Sequence, residues 1–111
     1  MDKKTERGYE VRAGIFKALA HPSRLFIVEQ LAAGERCVGD LAEMIGADVS
    51  TVSRHLAVLK NAGILRADKR GLQVYYRLHL PCILRFFDCV GEVMAQNAED
   101  HRALAGGGPK A

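Results

Sequence analysis

Apolar residues recur along this chain in blocks whose spacing is first helical, then alternating, then helical again. Val11, Ile15, Ala18 and Leu19 predict a first helix, which closes at His21-Pro22 because proline disfavours helix in the residue before it. Pro22 suits the first turn of a second helix, carried by Leu25, Ile27, Val28 and Leu31 and stopped at Gly34. Cys37 then precedes Val38 and Asp40 as a capping residue precedes a first turn, and Leu41, Ala42 and Ile45 line one side of a third helix. Val52, Leu56 and Leu59 do the same for a fourth, predicted over Thr51 to Ala62 with Gly63 as a left-handed cap.

Two alternating segments follow, Ile64–Asp68 and Gln73–Leu78, around Lys69-Arg-Gly-Leu72, which predicts a β-hairpin with a basic tip. A last helix is predicted from Pro81 to about Gln96, with two adjoining stripes, Cys82-Phe86-Cys89-Val93 and Ile83-Phe87-Val90-Met94. So wide an apolar face exceeds what one small core covers, so a second copy of the chain is expected to pack on it, with the first helix helping. The expected fold is mainly α with a β-hairpin wing (α+β): a winged helix-turn-helix of about five helices, homodimeric through its first and last helices. Residues 1–8 are expected to be a flexible N-terminus, 9–97 the DNA-binding and dimerisation domain, and 98–111, ending Ala105-Gly-Gly-Gly-Pro-Lys-Ala111, a loose tail.

With the apolar stripe of the fourth helix turned inward, Ser50, Thr51, Ser53, Arg54, His55 and Lys60 are expected to face outward. Nearly all are hydrogen-bond donors of the kind that reach phosphates and base edges. Arg54 and His55 are the candidates for base contact, and Ser50, Thr51 and Ser53 for phosphates or bases near the helix start. Lys69, Arg70 and Gln73 on the wing are candidates for the neighbouring backbone or minor groove. A two-fold dimer built this way predicts a pseudo-palindromic operator in double-stranded DNA.

At 111 residues the chain is one small domain, and its formal net charge of +3 is only mildly basic. No apolar run reaches membrane-spanning length and the charged start lacks the apolar segment of a signal peptide, so the expected location is cytoplasmic and no membrane partner is expected. Three cysteines, an odd number, fit a reducing compartment better than a disulfide scaffold. There is no phosphate-cradling glycine loop, no two-histidine metal motif and no Cys-x-x-Cys, so an enzyme is not expected. A winged-helix module that docks a protein would be expected to lose the polar, basic face over residues 50–60, and that face is present.

Taken in order, Phe16-Lys-Ala-Leu-Ala-His-Pro-Ser-Arg-Leu25, Cys37-Val-Gly-Asp-Leu41, Ser50-Thr-Val-Ser-Arg-His-Leu-Ala-Val-Leu59 and Gly71-Leu-Gln-Val-Tyr-Tyr-Arg77 resemble the ArsR/SmtB family over about residues 10 to 95. The resemblance implies a homodimeric winged helix-turn-helix repressor that leaves its operator when an inducer binds, commonly a metal or metalloid ion. By position, Ser50, Thr51, Ser53, Arg54 and His55 match the family's DNA-contacting segment and Arg70-Gly71 its wing tip. The inducer sites depart from the pattern. Arsenic-sensing members carry Cys-x-Cys where this chain has Cys37-Val38-Gly39. Zinc-sensing members use Asp and His early, and His and Glu late, in a last helix that here holds Leu80, Pro81, Cys82, Val93 and Gln96.

That leaves Cys37, Cys82 and Cys89 as candidate inducer or redox residues, for trivalent arsenic, another thiophilic metal, or an oxidant or sulfur signal. Cys37 and Cys82 sit at predicted helix starts, where free amides favour anionic sulfur. Two turns of helix separate Cys82 from Cys89 by about 10.5 Å, too far for a disulfide or a shared ion unless the helix unwinds. The alternative is that all three are small apolar fillers and the inducer is a non-metal small molecule. His79 and His101 lack partners at a diagnostic spacing, and Met44 and Met94 lie on apolar stripes.

Overall fold

The computed structural model describes residues 1–105. Residues 1–80 form one compact unit and the chain from Pro81 onward another. The first contains α1 (Lys3–Leu19), α2 (Pro22–Ala32), β1 (Arg36–Cys37), α3 (Val38–Ile45), α4 (Val49–Asn61), β2 (Leu65–Arg70) and β3 (Gln73–Leu78), and the second contains α5 (Ile83–Ala105).

Each boundary has a local cause. Pro22 opens α2 at its first turn, with His21 as N-cap: the Ser23 N–H donates to His21 Nδ1 at 3.1 Å. Asp48 caps α4 by accepting from the Thr51 N–H at 2.7 Å, so that helix starts at Val49, two residues before the expected Thr51. It ends in a Schellman arrangement: the Ile64 N–H donates to the Leu59 carbonyl at 3.0 Å and the Gly63 N–H to that of Lys60 at 2.9 Å. Gly63 stands at φ 84°, the left-handed conformation that this closure demands and that a side chain resists.

The core is made where these helices meet. Ile27, Val28, Leu41, Val52, Leu56, Leu59 and Leu65 are fully buried, joined by Leu19, Leu31 and Ile64. α4 packs against α2, α3 and β2, so its inner stripe is held from several directions.

The sheet has the order β1-β3-β2 and is antiparallel throughout. Leu65 faces Leu78 at one end of the hairpin and Arg70 faces Gln73 at the other, leaving Gly71-Leu72 as a two-residue tip. Gly71 at φ 62° occupies the first turn position, the one a type II′ hairpin reserves for glycine. β1 was not foreseen: two residues are too few to show alternation, and they become a strand only because Arg36 and Cys37 meet the free edge of β3 at Tyr76 and Tyr75.

Both chain ends differ from expectation. Residues 3–8 are helical, because Asp2 accepts from the Thr5 N–H at 2.7 Å and Glu6 lies in the first turn, where an acid is favoured. Pro81 and Cys82 form a turn before α5, marked by the Leu84 N–H to Pro81 carbonyl bond at 3.1 Å, and do not belong to the helix itself. α5 continues past Gln96 to Ala105 through a polar but helix-compatible run, with Gln96 Nε2 donating to Asp100 Oδ1 at 3.0 Å. Of the expected tail 98–111, residues 98–105 are thus helix, and 106–111 lie outside the described residues. No helix among the described residues is long and apolar enough to cross a membrane.

Candidate nucleic-acid interface

α3 and α4 form a helix-turn-helix whose second helix is amphipathic by construction. Its inner positions Val52, Leu56 and Leu59 are buried, while Ser50, Arg54, Ala57, Lys60 and Asn61 are exposed on the other side. Thr51 and Ser53 are half-buried at the margin between the two. Arg54 makes no hydrogen bond or ion pair to any described residue, so its guanidinium is available to an incoming acceptor. Ala57, one turn further along, was not singled out in the sequence. An exposed alanine between Arg54 and Lys60 keeps the helix surface low and can meet a thymine methyl.

The amino end of α4 is already occupied. Asp48 Oδ1 accepts from the Thr51 N–H and from Ser50 Oγ at 2.9 Å. These bonds, Thr51's first and then Ser50's, with the Arg54 charge adding to them, hold the Asp48 carboxyl below its ordinary value. A carboxylate therefore stands where a free helix start would attract a phosphate, and the Ser50 hydroxyl proton is committed to it.

His55 departs from the expected outward face. Its ring is half-buried, Arg24 Nε donates to its Nδ1 at 3.1 Å, and it lies 4.3 Å from the His21 ring, centroid to centroid. Arg24 also donates through Nη1 to the Ala18 carbonyl at 3.2 Å, so one side chain joins the end of α1, the start of α2 and the middle of α4. Position 55 is three residues after Val52 and four before Leu59, and that spacing places it on the inner stripe.

Burial, and then the charges of His21, Arg24 and Arg54, hold His55 below the ordinary histidine value of 6.5. A histidine depressed in the folded state contributes stability above the unfolded value, and that stability is lost as pH falls through the folded value. Urea midpoints are therefore expected to decline from about pH 7.5 to about pH 5. The decline should be shallower in His55→Asn, which keeps an acceptor for Arg24 without titrating. Equal pH profiles for the two proteins would remove His55 from this account.

On the hairpin, directly opposed residues share a face. Arg66 opposite Arg77, Asp68 opposite Tyr75 and Arg70 opposite Gln73 make one polar face, and Lys69 falls with Val74 on the other. Lys69 and Arg70, expected to act together, thus project to opposite sides. Arg66 and Arg77 join Arg70 and Gln73 instead, and the period-two alternation was the signal that could have found them. Asp68 Oδ2 lies 3.5 Å from Arg77 Nε, which steadies that face.

Cys37 is half-buried at the N-cap of α3 and its side chain makes no capping bond; Cys82 and Cys89 are exposed and all three are free thiols. Among the described residues no group of three or more His, Cys, Asp or Glu side chains is arranged to hold a metal ion.

Comparison with known proteins places these features in company. The family model described as bacterial regulatory protein, arsR family, matches residues 21–67, which span α2 to the start of β2. An uncharacterised HTH-type transcriptional regulator of Mycobacterium tuberculosis, Rv0081, is 34% identical over 97 residues, covering 86% of this chain and 85% of that protein. The biofilm growth-associated repressor of Xylella fastidiosa is 41% identical over 73 residues, 66% of this chain and 63% of its own length. Among solved structures, the homodimeric winged helix-turn-helix DNA-binding domain Mb0332 of Mycobacterium bovis superposes with a TM-score of 0.76 at 33% identity, over 91% of this chain and 94% of that domain.

Proposed function

The chain belongs to the ArsR family of bacterial regulatory proteins, DNA-binding transcriptional regulators and not enzymes, and from that premise we propose that it is a homodimeric repressor whose α4 enters the major groove of each half of a pseudo-palindromic operator. The observation that carries this reading is the exposed strip Ser50, Arg54, Ala57 and Lys60 on a helix whose other side is locked into the core. Arg54 reads a base edge, Lys60 meets the backbone, and the polar wing face with Arg66, Arg70 and Arg77 holds phosphates beside the groove.

Two further features support the dimer. Tyr9, Val11, Ile15 and Phe16 on α1, and Phe86, Val90, Val93 and Met94 on α5, are large apolar residues left exposed on a single chain. The similar Mb0332 domain is itself described as homodimeric. A second copy covering such faces sets two reading helices about one helical turn of DNA apart.

The signal reaches the protein through thiols. Cys82 and Cys89 are open to reagents, and Cys37 sits where α3 begins, next to the reading helix in the chain. A soft metalloid or metal would need sulfurs from more than one segment or copy; an oxidant or sulfur donor needs only one exposed thiol.

Selection from a randomised duplex pool, followed by fluorescence anisotropy on the winning sequence, tests the reading. The expected result is a two-fold symmetric consensus with half-sites about 10 base pairs apart and an affinity that falls steeply with salt, by close to one unit of log–log slope per phosphate contacted. Addition of arsenite, cadmium, zinc, an oxidant or a persulfide donor to the reduced protein should release the DNA with one of them, and one of Cys37→Ser, Cys82→Ser or Cys89→Ser should abolish that release. No enriched sequence would sink the operator reading, and release unchanged in all three variants would sink the thiol reading.

A further inference from the structure

Arg70 closes β2 at the wing tip, yet its guanidinium is turned back across the sheet. Nη1 donates to Glu35 Oε1 at 2.7 Å and Nη2 to Glu35 Oε2 at 3.0 Å, a parallel two-bond fork. On its way it passes over the ring of Tyr75 on the central strand β3, 4.9 Å from the centroid. Glu35 lies outside the hairpin, in the loop between α2 and β1 on the far edge of the sheet. The contact therefore crosses all three strands.

Two parallel N–H donors meeting two oxygens that share one negative charge is also how a guanidinium grips a phosphodiester. Other groups near Arg70 do not hold it so. Asp68 is 3.9 Å from Nη2 and stands nearer to Arg77, and Tyr75 offers only its ring face. The side chains of Arg70 and Glu35 are 51% and 38% exposed, so the pair is open to solvent and exchangeable. A phosphate approaching the wing can replace the carboxylate with the same two-bond geometry.

We propose that Glu35 is a resident phosphate mimic: it occupies the anion position of the wing arginine in free protein and must be displaced when DNA binds, which sets the wing's contribution to affinity below what Arg70 alone would give. This rests on the wing contacting the DNA backbone, as argued above. Because backbone contacts carry no sequence information, Glu35 lowers binding to random and operator DNA alike. It thereby leaves discrimination to α4.

The test is a double-mutant cycle read by anisotropy at several salt concentrations, on the selected operator and on a random duplex. Glu35→Gln keeps the shape and removes the charge, with Glu35→Ala as a second variant. Each is expected to tighten both duplexes by roughly two- to fivefold, the scale of one exposed ion pair, and to steepen the salt slope by up to about one unit. In an Arg70→Ala background the same substitutions should change affinity by less than about 1.5-fold, because there is no guanidinium left to release. Tightening that persists in that background would mean a general charge effect and overturn the proposal. Weakening by Glu35→Gln would also overturn it, since Glu35 would then be holding the wing in its DNA-bound pose. Arg70→Ala alone tests the wing: if it leaves affinity and slope unchanged, the wing reading fails first and the mimic with it, whereas a weakened Arg70→Ala beside an inert Glu35→Gln rejects only the mimic.

Discussion

Replacing Leu56 by alanine is expected to cost about 2–5 kcal/mol of folding stability, the range for a leucine removed from a packed core. Leu56 is fully buried at the middle of α4, between Val52 and Leu59 on the same stripe, and α4 is packed against α2, α3 and β2. Little can move in to fill the space, because α2 is held by its His21 cap and β2 by its pairing with β3. Domains of this size have about 5–15 kcal/mol in total, so the loss is a large share. Urea unfolding followed by helical circular dichroism measures it. Ala57→Ser, on the exposed side of the same helix, should stay within about 0.5 kcal/mol. A Leu56→Ala cost below about 1 kcal/mol would mean that the core closes without it.

Arg54→Ala is expected to leave stability unchanged and to weaken operator binding by about 1–3 kcal/mol, the value of a bidentate base contact. The loss should be concentrated at one base pair of each half-site: against a panel of single-position operator variants, the substituted protein should stop distinguishing the bases there. Arg54 suits that role because it is exposed, unpaired among the described residues, and one turn beyond a helix start that Asp48 has closed to phosphates. An equal loss on every duplex in the panel would make Arg54 a backbone contact and move base reading to Ser50, Ser53 or Ala57.

Much of this architecture was legible because apolar spacing and punctuation agree. The buried Ile27, Val28 and Leu31 of α2, Leu41 and Ala42 of α3 and Val52, Leu56 and Leu59 of α4, the stop at Gly63 and the hairpin around Gly71 all stand in the one-dimensional pattern, although Leu25, counted with the α2 stripe, is exposed and Ile45, counted with that of α3, is half-buried. Three features of the site were legible in principle and were missed. His55 falls between Val52 and Leu59 on the inner stripe, Lys69 and Arg70 must alternate on a strand, and Asp48 sits three residues before Thr51 as a cap does. The remainder was not in the local pattern at all. The Glu35–Arg70 pair joins residues 35 apart in sequence, and β1 exists only because a partner edge is present. Such contacts are products of tertiary folding.

Arg24 works like a tie rod in a linkage. One end of its guanidinium is fastened to the last turn of α1 through the Ala18 carbonyl and the other to the ring of His55 in α4. The tilt of α4 relative to α1 is thus tied to the geometry of one side chain. Displacing α1 against α4 therefore strains two hydrogen bonds held by a single side chain, one reaching each helix.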